Sequence, residues 1–268
     1  MSKRNNFYGS KSGLTARTIA FLAATGITDA TISAALNTMD LALIANGLDT
    51  KMQALYPFVG GTASTHKWNF MNALDTDAAF RLTFAGGWTH SATGGQAGNN
   101  GYADTHVNAN TQLSNTLGGF SIYSRSQTTP NLGGNGYDMG CDSSGIMVGV
   151  PLFLVARYTN NFAYSGWGGN GYTCNIASMD ARQLWTGIYQ SGVNNLYKNA
   201  TSLATAAQAP VTLPSFNVYL GAANANGTAG FYAGHEYAMA AIHTLSTSDM
   251  TNWNSIITAL QTALSRNV

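Results

Sequence analysis

The sequence is poor in charge. Lysine, arginine, aspartate and glutamate make up 9% of its 268 residues, against ~25% in an average globular domain. Twelve basic and eleven acidic residues leave a formal net charge of +1. No broad basic face can be built from these, which excludes duplex nucleic acid as a partner. Cysteine is nearly absent: Cys141 and Cys174 are the only two. They lack CxxC spacing and read as buried, reduced thiols rather than a disulfide framework or a zinc site. No apolar run approaches the ~20 residues of a membrane span. The basic start has no unbroken apolar stretch before Thr15, so no secretory signal is expected. No internal repeat is evident, which argues against a propeller or solenoid.

What the chain does have is apolar and small. Hydrophobic residues reach 45%, too many for a disordered protein. A surface short of charge must be made of Ser, Thr, Asn, Gln, Gly and Ala. Such a surface suits packing against neighbours or contact with neutral, hydroxyl-rich ligands. The basic residues cluster at the start, where Lys3, Arg4, Lys11 and Arg17 have no acid among them. They read either as a solvated tail or as an arm for an acidic assembly partner.

Three regions follow from the pattern. Residues 1–14 form a flexible or partner-ordered arm. Residues 15–56 read as a helical segment for attachment or oligomerisation. Its first helix, 15–25, is closed by Gly26. A second is capped by Thr28 and carries Ile32, Leu36, Met39 and Leu43 at spacings of four, three and four. Leu48–Tyr56 reads as a last helical turn before Pro57. Packing of this stripe on the chain's own core is the simpler alternative to a subunit contact.

Residues 57–268 carry strand grammar and a closing helix. "AFRLTF" (79–84), "GFSIYSRS" (119–126), "PLFLVARY" (151–158), "QLWTGIYQ" (183–190), "NNLYKNA" (194–200), "FNVYLGA" (216–222) and "EYAMAAI" (236–242) are short and rich in aromatic or β-branched residues. Asn-Gly and Gly-Gly turns lie between them. Many short strands with few intervening helices predict a mainly β fold, an antiparallel β-sandwich. At the end, Ser246 and Asp249 can form a capping box for a helix over 247–265, with Trp253, Ile256, Ile257, Leu260 and Leu264 on one face.

The blocks "KMQALYPFVGGTASTHKWN", "AFRLTFAGGWTHSATG", "GYADTHVNAN", "LYKNA", "NVYLGAANANG" and "LQTALSRNV" occur in this order. From about Ile27 onward the chain resembles bacteriophage virion proteins with a concanavalin A-like (laminin-G-like) jelly-roll domain, of the structural, fibre or lectin-like kind. The resemblance implies two packed antiparallel sheets, placement in a virion as a fibre, decoration or tail component, other virion proteins as partners, and contact with host-surface polysaccharide. It favours a homo-oligomer, commonly a trimer. One departure is Asn199-Ala200, where such proteins commonly have Asn-Gly, which puts the turn geometry in question.

Glycan recognition needs an aromatic platform beside a few polar groups. "YSGWGGNGYTCN" offers Tyr164, Trp167, Asn170 and Tyr172, and "GGWTH" offers Trp88; packing in the sandwich ends is the alternative use of each. Asp138 and Asp142 are candidate ligands for a cation such as calcium, although two aspartates fall short of its six to eight oxygens. No other cofactor is implied.

An enzyme is not expected. Glycan hydrolysis on this fold needs two closely placed carboxylates, and the chain has one glutamate, Glu236. Asp75 and Asp77 read as turn aspartates. His66, His90, His106, His235 and His243 are dispersed, without HExxH, and no G-x-S-x-G nucleophile turn is present. A purely structural capsid or filament subunit is the alternative, and a polysaccharide-degrading enzyme the least supported reading.

Overall fold

The computed structural model describes residues 13–128, 136–147, 149, 151–168 and 174–268. Among these, seventeen strands numbered in chain order form two sheets. The first runs β13 (Thr201–Ala207), β12 (Val193–Lys198), β11 (Gln183–Gln190), β6 (Leu117–Ser124), β17 (Glu236–His243), β4 (Gly94–Ala97) and β3 (Trp88–Ser91), with β1 (Met52–Tyr56) also on β17. The second runs β10 (Cys174–Ala177), β9 (Phe162–Trp167), β8 (Leu152–Val155), β7 (Met139–Asp142), β14 (Asn217–Leu220), β5 (Tyr102–Asn108) and β2 (Thr83–Ala85). A hairpin of β15 (Ala223–Ala225) and β16 (Thr228–Gly230) joins it at β7. Apart from β7–β15 and an isolated Tyr137–Tyr232 bridge, the pairings among the described residues are antiparallel. This is the expected β-sandwich.

Two large cores and a smaller cluster of Tyr137, Met147, Phe153, Val155, Tyr164 and Ala223 hold it together. Between the sheets lie Tyr56, Phe120, Ile122, Met139, Leu154, Trp167, Trp185, Leu220, Tyr237 and Ile242. The second core lies on the other face of the first sheet. There Leu55, Tyr123, Leu184, Ile188, Met239 and Ala241 meet α1 (Ala16–Thr25), α2 (Ala30–Ala45) and α5 (Met250–Ala263). β17 is therefore buried on both faces and reads as a nearly continuous apolar run. Two single-turn helices, α3 (Ala63–His66) and α4 (Ala109–Gln112), sit in connections.

The helices start and stop where the chemistry expects. Thr15 caps α1 and Gly26 closes it with a left-handed φ of 69°. α2 is capped by Asp29, one residue after the expected Thr28, because the Asp29 carboxylate accepts the Ile32 N–H. The Ser246–Asp249 capping box is present, and Lys51 binds Asp249 at 2.8 Å, tying β1 to the closing helix. Ion pairing of Arg17 with buried Asp40 fastens α1 to α2.

The structure corrects several expectations. Leu48–Tyr56 is a 3-10 turn (Asp49–Lys51) followed by strand β1, so the sandwich begins before Pro57. Leu36, Met39 and Leu43 are buried against the chain's own sheet and Ile32 is half-buried beside them. That stripe packs in the chain's own second core. Lys3 and Arg4 lie outside the described residues. The 79–84 strand shrinks to Thr83–Ala85, because Phe80 closes a 3-10 turn with a left-handed φ of 59°. The β12–β13 hairpin keeps its two-residue turn without the glycine, since Asn199 takes a φ of 57° and asparagine tolerates that region.

Cys141 and Cys174 are buried and free, and burial pushes the Cys174 thiol up to about 12.

Candidate functional site

Most residues singled out in the sequence are structural. Trp167 ends strand β9 inside the sandwich, 3% exposed. Its ring lies 5.0 Å from that of Phe120, and its N–H donates to the Ser114 carbonyl at 3.0 Å. It offers no platform to a sugar. Tyr164 is buried beside Tyr158, and its hydroxyl accepts from the Asn160 amide at 2.7 Å. Asn170 and Tyr172 lie outside the described residues. Trp88 is half-buried, donates to the Tyr102 carbonyl at 3.0 Å and packs on Phe84 and His90.

The two candidate calcium ligands are both buried and bonded to protein donors. Buried Asp138 accepts from His235 Nδ1 at 2.6 Å, the Tyr237 hydroxyl at 2.8 Å and the Ala156 N–H at 2.7 Å. Both its oxygens take protein donors, and the side chain is fully buried. Asp142 is likewise buried and accepts from the Ser144 hydroxyl. Among the described residues no group of three or more His, Cys, Asp or Glu is placed to hold a metal ion. Glu236 bonds Thr93 and lies 3.5 Å from Arg125.

Two dispersed histidines do meet. The Gly61 N–H donates to His66 Nε2 at 3.2 Å, so the ring proton sits on Nδ1 and points at His90 Nδ1, 3.0 Å away. Burial, then His90 and Arg266, bring the His66 pKa down to about 3.

Helices close the outer face of the first sheet, and an apolar cluster of Tyr137, Phe153, Val155 and Tyr164 buries that of the second at β8 and β9; β5 and β14 carry the rest of that face. Alternation along β5 turns Ala103, Thr105 and Val107 inward and Tyr102, Asp104, His106 and Asn108 outward. Pairing with β14 sets Tyr219 opposite Asp104 and Asn217 opposite Asn108. The Tyr102 and Tyr219 rings stack at 4.6 Å and 23°, with Tyr219 buried at 9% exposure and Tyr102 half-buried over it. Beside them the Asn217 amide donates to both Asp104 oxygens, at 3.1 and 3.2 Å. Burial, helped by Asp104 and Tyr102, pushes the Tyr219 hydroxyl up to about 12.

A bulge aims the next group. The register between β5 and β14 shifts between Asn217 and Tyr219, and His106 takes a φ of 57°. Asp104 stabilises the kink by accepting the His106 N–H at 2.7 Å. The imidazole then reaches Thr83 Oγ1 at 2.8 Å and lies 3.4 Å from Asp77. Asp77 binds Arg81 at 2.9 Å, and Asp75 binds Lys67 at 2.7 Å. The hydrogen bond from Lys67 holds the Asp75 carboxyl below its ordinary range. This constellation was missed in the sequence, although "YADTHVN" carries its signal: aromatic and polar residues at every second position.

No protein-family model and no curated protein matches the chain. Among solved structures it is similar to a mutant of Trypanosoma rangeli sialidase displaying trans-sialidase activity, with a TM-score of 0.54 and 10% identity over 84% of this chain and 39% of that one. Trypanosoma rangeli sialidase itself gives 0.52 and 10% over 79% and 33%. Domain 4 of AbnA, a GH43 extracellular arabinanase from Geobacillus stearothermophilus, in complex with arabinotriose, gives 0.49 and 13% over 75% and 97%. The chain spans less than half of the length of the sialidases and shares with them a β-sandwich fold.

Proposed function

We propose that the protein is a non-enzymatic, lectin-like β-sandwich that binds surface glycans through the outer face of its second sheet, displayed as a component of a bacteriophage particle. The observation that carries the binding reading is half-buried Tyr102, stacked on buried Tyr219 and beside the Asp104–Asn217 pair, on the outer face of the second sheet. An aromatic surface with adjacent carboxylate, amide and hydroxyl groups is the chemistry that holds a pyranose. The particle reading is supported by the sequence blocks that resemble virion proteins. The non-enzymatic reading is supported by carboxylates occupied with structural partners, Asp138 in the interior and Asp75 and Asp77 in ion pairs.

Glycan-array screening followed by calorimetry tests it. Tyr102→Ala and Asp104→Asn should each weaken a retained sugar about tenfold or more. Wild-type protein that retains no sugar, or variants that bind as well as wild type, would overturn the binding reading. The particle reading is tested by imaging purified virions with an antibody to the chain, which should label them.

A subunit without a ligand is the second reading. It draws on the outer helical layer, where Leu41 is 51% and Ile44 48% exposed. A groove of about 450 Å³ between α2 and α5 is lined by alanines together with Thr31, Thr38, Met39, Ile256 and Leu260.

A further inference from the structure

Resting on the sugar-binding reading above, we infer that this sheet face selects neutral, hydroxyl-rich saccharides and rejects acidic ones. The reason is how charge is allotted around the tyrosine pair. Recognition of a sugar carboxylate needs a cation with bonds to spare, most effectively the fork of an arginine. Among the described residues two cations border this part of the face; both are ion-paired, and the one Arg81 donor without a hydrogen-bond partner, Nε, is buried. Lys67 binds Asp75 at 2.7 Å and lies over the Trp68 ring at 4.8 Å. Arg81 binds Asp77 at 2.9 Å and Thr83 at 3.4 Å, and lies 3.4 Å from Asp75. Two bases and two acids cancel there.

Asp104 is left over, and it stands next to the aromatic pair. Its hydrogen-bond donors are neutral, the Asn217 amide and the His106 N–H. Among the described residues no lysine or arginine pairs with it, and the His106 ring is 4.0 Å away at Nδ1. An anionic sugar seated on Tyr102 would therefore meet an uncompensated carboxylate, with like charges repelling in a partly desolvated place. A neutral sugar meets groups suited to its hydroxyls. Among the described residues Asp104 Oδ2 takes one protein N–H, at 3.2 Å, and can accept an O–H. The Tyr102 and Tyr219 hydroxyls can donate or accept. A hydroxyl both donates and accepts, so it fits this mixture. A carboxylate can only accept, and the strongest group present is another acceptor.

The test uses the full chain and matched sugars at pH 8. Lactose is compared with 3′-sialyllactose, and neutral galactan oligomers with galacturonate oligomers of equal length, by calorimetry. The neutral member of the retained pair should bind about tenfold more tightly or better. Asp104→Asn keeps the shape and removes the charge, and should bring the two members within about threefold. Thr83→Lys, at an exposed position on the same face, supplies a free cation and should favour the acidic member. Sugar binding that favours the acidic member in wild type overturns this inference alone. So does a ratio unmoved by both substitutions in folded protein. If neither class binds, the sugar-binding reading falls, and this inference with it.

Discussion

Trp167 shows how a residue type can point to the wrong role. An indole among glycines has the composition of a sugar platform, yet here those residues continue a strand. The ring fits because Gly118 on the facing sheet has no side chain; a Cβ there would run into it. Trp167→Ala should cost about 3–5 kcal/mol, the range for emptying a buried aromatic site, read as a lower urea midpoint. Sugar affinity of the folded fraction should not change. A stability loss below about 1 kcal/mol, or an abolished sugar affinity in fully folded protein, would show the ring to be surface and not core. The reverse holds for Tyr102, whose neighbours Ala103 and Gly101 give no hint of a platform. Its partner Tyr219 is more than a hundred residues away, and only strand pairing brings them together.

At the scale of elements, legibility followed how far one face differs from the other. β6, β11, β17 and α5 were readable because apolar periodicity, aromatic content or a capping box marks them. β4 ("GGQA") and β13 ("TSLATAA") were not, because glycine, alanine and threonine carry little burial signal. β1 was misread for a specific reason. A register shift between Met52 and Ala54 turns Met52 and Leu55 to the same side, three residues apart, as a helix would. The helical leader then proves to be a lid over the first sheet. Removing residues 1–47 takes Phe21, Leu36, Met39 and Leu43 out of the second core and should expose the apolar side chains they pack among. The expected product binds a hydrophobic dye, loses its near-ultraviolet dichroism and aggregates, since exposed patches of that size associate. A truncated chain that unfolds cooperatively at the wild-type temperature would instead make the helices a detachable attachment element.

For the molecule as a whole, a low-charge interior has a consequence in acid. His243 is buried with Nε2 against Ser121 Oγ at 2.8 Å and Nδ1 accepting the Leu245 N–H at 3.3 Å. Trp253 of α5 donates to the same Ser121 oxygen, so the imidazole belongs to the seam between helix and sheet. Burial brings its pKa down to about 3, opposed only by Asp249, and burial does the same to His66. In the unfolded chain both rings take a proton near pH ~6.5. Below that pH the unfolded state binds more protons than the folded one, so stability present above it is lost progressively as pH falls, until the folded rings titrate near 3. Each ring contributes a slope of about 1.4 kcal/mol per pH unit. Two together would consume most of a stability of about 5–15 kcal/mol within a few units. His90, lowered by burial, acts in the same direction. Urea midpoints taken at pH 7.5, 6 and 5 should drop steeply between the last two. The His66→Gln, His243→Gln double variant, which keeps a donor and an acceptor at each site, should flatten that drop. A wild-type midpoint that holds level down to pH 5 would mean that water or a carboxylate reaches these rings after all.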